Sequence, residues 1–267
     1  LPKKQPLLSF EKQLFMTTNA LILLIILFFV TSVIGVVTGS NSLITVPVMF
    51  QFGVDAKIAV ATNMFGLTFM NVGATIPFLR QGIINKKKVA PLAAITLVAS
   101  AIGAGLVLLI TPANIKLLVS VAMIAVTIFT LVKRDAGIAE SAEVSARATV
   151  LTYILTFALG VYGGLFSGGY VTMLTAVLVA FFGMTFTESV ASTKLINIFS
   201  SAIATLIFMC QGLVDYRLGF ILAVTMFTGA YIGAHTVTKL SDVWLKRIFI
   251  GAVLILALKT FFDFIWG

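Results

Sequence analysis

Gly164-Leu165-Phe166-Ser167-Gly168-Gly169-Tyr170 interrupts one long apolar run, and Gly35-Val36-Val37-Thr38-Gly39-Ser40-Asn41 interrupts another in the first half of the chain. Each break follows a hydrophobic segment of membrane length and precedes a short apolar piece, at 43–52 and 171–182. Glycines and hydroxyl residues at membrane depth free backbone N–H and C=O groups that lipid cannot satisfy. Such a break is stable only where protein or a water-filled cavity surrounds it. Two of them in corresponding places point to a transport site.

The 267 residues are 60% hydrophobic and only 10% charged, with a mean hydropathy of +1.14. A soluble domain of this length cannot hide so much apolar surface. The chain reads as an all-α, multi-pass membrane protein. Its formal net charge of +9 belongs to Lys and Arg in short loops and at helix ends, where they set topology and meet anionic headgroups. No nucleic-acid partner is expected. The single cysteine, Cys210, and single histidine, His235, leave no cysteine cluster and no histidine-based metal site, and no cofactor is expected. Lys3, Lys4 and Lys12 before an apolar run resemble the start of a signal peptide. The run from Leu14 continues well beyond a signal core, so it reads as a first membrane segment.

Segments able to span about 30 Å of hydrocarbon at about 1.5 Å per residue fall at 14–37, 56–79, 89–110 and 113–133, then at 148–166, 188–210, 218–238 and 243–266. The one sizeable polar loop, 134–147, separates a first repeat (14–133) from a second (148–266). The halves are copies. Gln81-Gly82-Ile83-Ile84-Asn85-Lys86-Lys87 matches Gln211-Gly212-Leu213-Val214-Asp215-Tyr216-Arg217, and Ala101-Ile102-Gly103-Ala104 matches Tyr231-Ile232-Gly233-Ala234 at the same offset. Lys116 matches Lys246 in that register, and Gly35/Gly39 match Gly164/Gly168 in nearly the same one. Repeated matches across separate segments mark internal duplication.

The orientation of the copies depends on whether each break is re-entrant or part of one broken helix. Basic residues change sides between aligned loops. Arg80, Lys86, Lys87 and Lys88 flank the first Gln-Gly loop, whereas in the second half Lys239, Lys246 and Arg247 gather in the following loop. That exchange favours inverted repeats under the positive-inside bias, although the N-terminal lysines oppose it. Gly35/Gly39, Gly164/Gly168 and Gly229/Gly233 are small residues one turn apart, which let backbones approach closely in lipid. Packing accounts for the last pair. The breaks hold more consecutive small and polar residues than packing requires.

Polar groups at membrane depth are candidates for function. Thr38, Gly39, Ser40, Asn41 and Ser42 open the first short piece, with Thr45 beyond; Ser167, Gly168, Gly169 and Tyr170 open the second, with Thr172 and Thr175 beyond. Half-helix N-termini of this kind attract anions, while Ser and Thr can equally bond back to their own helix. A second cluster follows in each half: Thr62, Asn63 and Asn71, then Ser192, Thr193, Lys194, Asn197, Ser200 and Ser201. Lys194 lies about 9 Å along the helix from Glu188, a spacing that turns the two to different sides. It can snorkel, or it can face a cavity that holds an anion. Asp55, Glu188, Asp215, Asp242 and Asp263 all sit near segment ends, so no mid-membrane carboxylate pair offers a proton relay or a cation cage. An anionic substrate fits better. Ser167 and His235 can also be cast as nucleophile and base of an intramembrane protease. Against this, the local order is Gly-Leu-Phe-Ser-Gly, and no histidine aligns with His235 in the other half.

The two glycine breaks, the Ala61-Thr62-Asn63 and Ser192-Thr193-Lys194 segments and the paired Gln-Gly loops together resemble the sulfite exporter TauE/SafE family over residues 14–266. The chain departs from the family's Gly-x-Gly-Gly pattern at Thr38-Gly39-Ser40-Asn41, and carries Ala176 where the first half has Pro47. The resemblance implies a secondary transporter, an exporter of sulfite or of organosulfonates such as sulfoacetate, working by alternating access and not an enzyme. The partners it implies are a small sulfur-containing anion, the lipid bilayer and a second copy as a homodimer. An anion channel would share the same motifs.

Overall fold

The computed structural model describes residues 18–39, 41–115, 117–119, 121, 145–237 and 239. They form eight principal helices: α1 (Thr18–Thr38), α2 (Ser42–Gln51), α3 (Ala56–Arg80), α4 (Lys86–Leu109), α5 (Ala146–Leu165), α6 (Tyr170–Phe182), α7 (Phe186–Cys210) and α8 (Tyr216–Val237). Six are long and apolar enough to cross a membrane, and the exceptions are the short α2 and α6. The chain is a multi-pass helical membrane protein. The expected segment 243–266, most of 113–133, most of the 134–147 loop, the Lys116/Lys246 match, and Asp242 and Asp263 lie outside the described residues.

The helix ends follow from local chemistry. Gly82 and Gly212 adopt φ +69° and +64°, the left-handed conformation that glycine reaches without steric cost. Behind them Ile83 N–H reaches Phe78 C=O, and Leu213 N–H reaches Phe208 C=O, closing α3 and α7 with Schellman bonds. Three residues on, Asn85 caps α4 by accepting from Lys88 N–H, and Asp215 accepts from Leu218 N–H at the start of α8. The duplicated Gln-Gly-x-x-Asn/Asp motif is thus a helix stop followed by a helix start. Asp55, Ser145 and Thr185 supply the same cap to α3, α5 and α7.

The halves interlock. α8 packs on α3 and α1, while its counterpart α4 packs on α7 and α5, and α3 meets α7 across the centre. Glycines set the closest crossings, because a Cβ at these positions would strike a neighbouring backbone. A Cβ on Gly229 would lie 2.7 Å from Phe29 C=O, and one on Gly233 would lie 3.0 Å from the Cα of Val33. On the other side, Gly160 faces Thr96 and Ala99, Gly164 faces Ser100, and Gly103 faces Val161 and Leu165. Gly219 sits against Thr62 and Phe65, and Gly66 against Leu222 and Met226. Small residues at this spacing bring helices within van der Waals reach where no hydrophobic force exists between them in lipid. Ser100 Oγ then donates to Gly160 C=O at 2.9 Å and meets Ser200 Oγ at 2.7 Å, tying α4 to both α5 and α7.

Candidate functional site

α1 ends at Thr38 and α2 starts at Ser42; α5 ends at Leu165 and α6 starts at Tyr170. Gly39 and Gly169 turn the chain with φ +65° and +80°. The two turns are cross-bonded. Ser42 Oγ lies 2.8 Å from Ser167 Oγ, and Thr172 donates its hydroxyl proton to Thr38 C=O at 2.6 Å. Each short helix therefore reaches the turn of the other half. Neither has a side-chain cap bond at its N-terminus, whereas α3, α4, α5 and α7 all do. The positive ends of the α2 and α6 dipoles thus meet no capping side chain.

A small polar pocket lies where the turns meet; its free volume of about 10 Å³ is room for a single water, far below the size of pockets that take drug-like ligands. Its wall comes from Gly35, Gly39, Asn41 and Ser42 of the first half, Ser167 and Val171 of the second, Leu67, Met70 and Asn71 on α3, and Lys194 and Asn197 on α7. Lys194 is 1% exposed. Its ammonium donates to Gly35 C=O at 2.8 Å, and no carboxylate among the described residues pairs with it. A lysine has three donors, so two remain for whatever fills the pocket. The position aligned with Lys194 on α3 is Met64; the charge comes from one half alone.

Behind the wall, Thr45 donates to Asn63 Oδ1 at 2.7 Å and Asn63 Nδ2 donates to Ser42 Oγ at 2.8 Å. With Ser42 accepting from Asn63, its own proton can go to Ser167, which leaves the Ser167 hydroxyl to donate toward the pocket. The aligned pair on the other side, Thr175 and Thr193, is in contact at 3.3 Å. A double-mutant cycle tests the cross-bond: Ser42→Ala and Ser167→Ala should show a coupling of roughly 0.5–1.5 kcal/mol in thermal unfolding. Strict additivity would separate the hydroxyls.

Of the residues singled out in the sequence, Gly35, Gly39, Asn41, Ser42, Asn71, Ser167, Lys194 and Asn197 line the pocket. The others lie elsewhere. Asn63 stands one layer behind. Thr38 contributes its carbonyl to the cross-bond, Thr62 accepts from Asp215 N–H at the start of α8, and Thr193 bonds its own helix at Val190 C=O. Tyr170 is fully buried, its ring against Gly163 and its hydroxyl near Thr96. Gly168 C=O accepts from the Tyr162 hydroxyl, Gly169 supplies the turn, and Ser40 lies outside the described residues. Conversely, the pocket adds Leu67, Met70 and Val171, which carry no polar signal. The Ser167 hydroxyl finds only Ser42 as a hydrogen-bond partner among the described residues, and His235 is exposed in the last turn of α8. That is not the bonded serine–histidine pair of a hydrolase.

Three of the six candidate spans, α1, α3 and α7, line a small polar pocket together with the two short helices and their turns, the arrangement of a multi-pass membrane transporter. The sequence profile of the sulfite exporter TauE/SafE family matches residues 23–260, and the chain belongs to that family. Among its relatives, the probable membrane transporter protein ORF9 of a Sinorhizobium species is 24% identical over 237 residues, covering 88% of this chain and 90% of the relative. The probable membrane transporter protein YfcA of Escherichia coli K12 is 24% identical over 245 residues, 91% of each chain. YdhB of Bacillus subtilis, also named a probable membrane transporter protein, is 24% identical over 231 residues, 85% of this chain and 94% of the relative. No solved structure matches the chain.

Proposed function

We propose that the protein is a secondary transporter, an exporter, of small sulfur-containing anions such as sulfite or organosulfonates like sulfoacetate. The observation that carries this reading is Lys194, a buried cation with one backbone acceptor at a pocket where two uncapped half-helices converge. An isolated buried charge is costly, and an anion in the pocket would recover that cost through charge-assisted hydrogen bonds. The Ser167 hydroxyl and the Lys194 ammonium are its donors, at the positive ends of the α2 and α6 dipoles.

Inverted repeats would make the pocket open alternately to each side. The packing register supports inversion. Along α8, Gly219, Gly66's partner Leu222 and Gly73's partner Phe227 advance together with Phe65, Gly66 and Gly73 of α3, so the two run in the same direction. α8 and α1 advance together through Gly229 and Gly233, and α4 and α5 through Gly160 and Gly164. With α3–α4 and α7–α8 joined by tight turns, α1, α3 and α8 run one way and α4, α5 and α7 the other. Aligned helices of the two repeats, 14–133 and 148–266, then point in opposite directions.

Counterflow in proteoliposomes tests the reading. Unlabelled sulfite or sulfoacetate inside the vesicles should accelerate uptake of the labelled anion. Conductance without exchange would make the protein an anion channel, and no movement of either anion would remove the substrate class.

A further inference from the structure

We propose that the pocket selects monoanions that themselves donate hydrogen bonds, with Asn71, Asn41 and Asn197 as their acceptors. The inference rests on the anion-site reading above and deepens it. Charge sets the first condition. Lys194 is the only basic side chain among the described residues lining the pocket, and no described carboxylate offsets it. One buried positive charge balances one negative charge, and a dianion would carry an uncompensated charge into the protein; of the anions proposed above, hydrogensulfite meets this condition and the doubly charged sulfoacetate does not.

The second condition comes from three amide oxygens. Asn41, Asn71 and Asn197 line the pocket, each is at most 3% exposed, and the Oδ1 of each lacks a hydrogen-bond partner. Amide orientation is assigned from its contacts, and for Asn71 the contacts decide it. Asn71 Nδ2 donates to Leu67 C=O at 2.8 Å; the flipped amide would set oxygen against oxygen. Asn41 Nδ2 reaches Met70 Sδ at 3.1 Å and Ser32 Oγ at 3.3 Å. The Asn71 oxygen is therefore left unpaired among the residues that line the pocket with Lys194. A ligand that offers only acceptors satisfies the lysine and leaves the amide oxygens unpaired. A ligand with an O–H or N–H beside its anionic oxygens, such as the hydrogen form of a sulfur oxyanion, satisfies both. Sites built to pair a ligand's polar hydrogen discriminate strongly against the analogue that lacks it.

Methanesulfonate and sulfamate have nearly the same shape and the same charge, and only sulfamate carries N–H donors. Titration calorimetry on the purified full chain should show sulfamate binding at least ten-fold tighter, with sulfate weaker than both. In Asn71→Leu the preference should shrink below about three-fold while methanesulfonate affinity is retained. Asn197→Leu provides the same readout if Asn71→Leu fails to fold, as judged by its melting transition. Equal affinity for sulfamate and methanesulfonate in the unmodified protein overturns this inference and leaves the anion site standing. A preference that survives both substitutions also overturns it. Absence of binding by any of the three anions overturns the anion site itself, and this inference with it.

Discussion

Lys194→Met is expected to lower affinity for a small anion roughly ten- to hundred-fold, since a hydrogen bond to a charged group is worth about 1.5–3 kcal/mol. The folded protein should tolerate the change. Gly35 C=O, the one protein acceptor of the ammonium, also accepts from Gly39 N–H at 3.0 Å, so no buried carbonyl is orphaned. Replacing a buried charge by an apolar side chain of similar length is often neutral or stabilising. Melting temperature without ligand should hold steady or rise, and the stabilisation conferred by a saturating anion should fall. Lys57→Met is the matched control. Lys57 also donates to a backbone carbonyl, that of Leu108, at 3.0 Å, but it does not line the pocket. Equal affinities for the Lys194 and Lys57 variants would remove Lys194 from the site.

The second large effect is structural. Gly164→Ala places a Cβ 2.6 Å from the Cα of Ser100 and 2.7 Å from its carbonyl carbon. Backbone atoms cannot rotate away, so α4 and α5 must separate, straining the Ser100 bonds to Gly160 and Ser200. Overpacking of this kind costs about 3 kcal/mol, which corresponds to a melting temperature lower by on the order of 10 °C. A Cβ at Gly105, on the same α4, would meet nothing within 4 Å. Gly105→Ala should be neutral or stabilise by up to about 1 kcal/mol through helix propensity. Equal melting of the two variants would mean that α4 and α5 do not cross at Gly164. Because α4 also holds α7 through Ser200, anion affinity in Gly164→Ala should fall with stability, unlike the selective loss in Lys194→Met.

The sequence by itself determined the helices. Long apolar runs can only be membrane helices, and their ends are written in residues whose chemistry is local: Gly82 and Gly212 to stop a helix, and Asn85 and Asp215 to start the next. The breaks were legible for the same reason, because Gly39 and Gly169 supply turns that other residues resist. Lys194 was legible through its cost. Only the tertiary structure decided which polar residues share a cavity. In a membrane helix the faces toward lipid and toward protein are both apolar, so periodicity does not tell them apart. Thr62 and Asn63 are neighbours in sequence, yet one accepts from the start of α8 and the other braces Ser42. Asn71 reaches the pocket wall by its position on α3, and the partner of Lys194 is a glycine carbonyl, a group that every residue carries. A backbone acceptor leaves no mark in the sequence; it exists only where α7 lies against the end of α1.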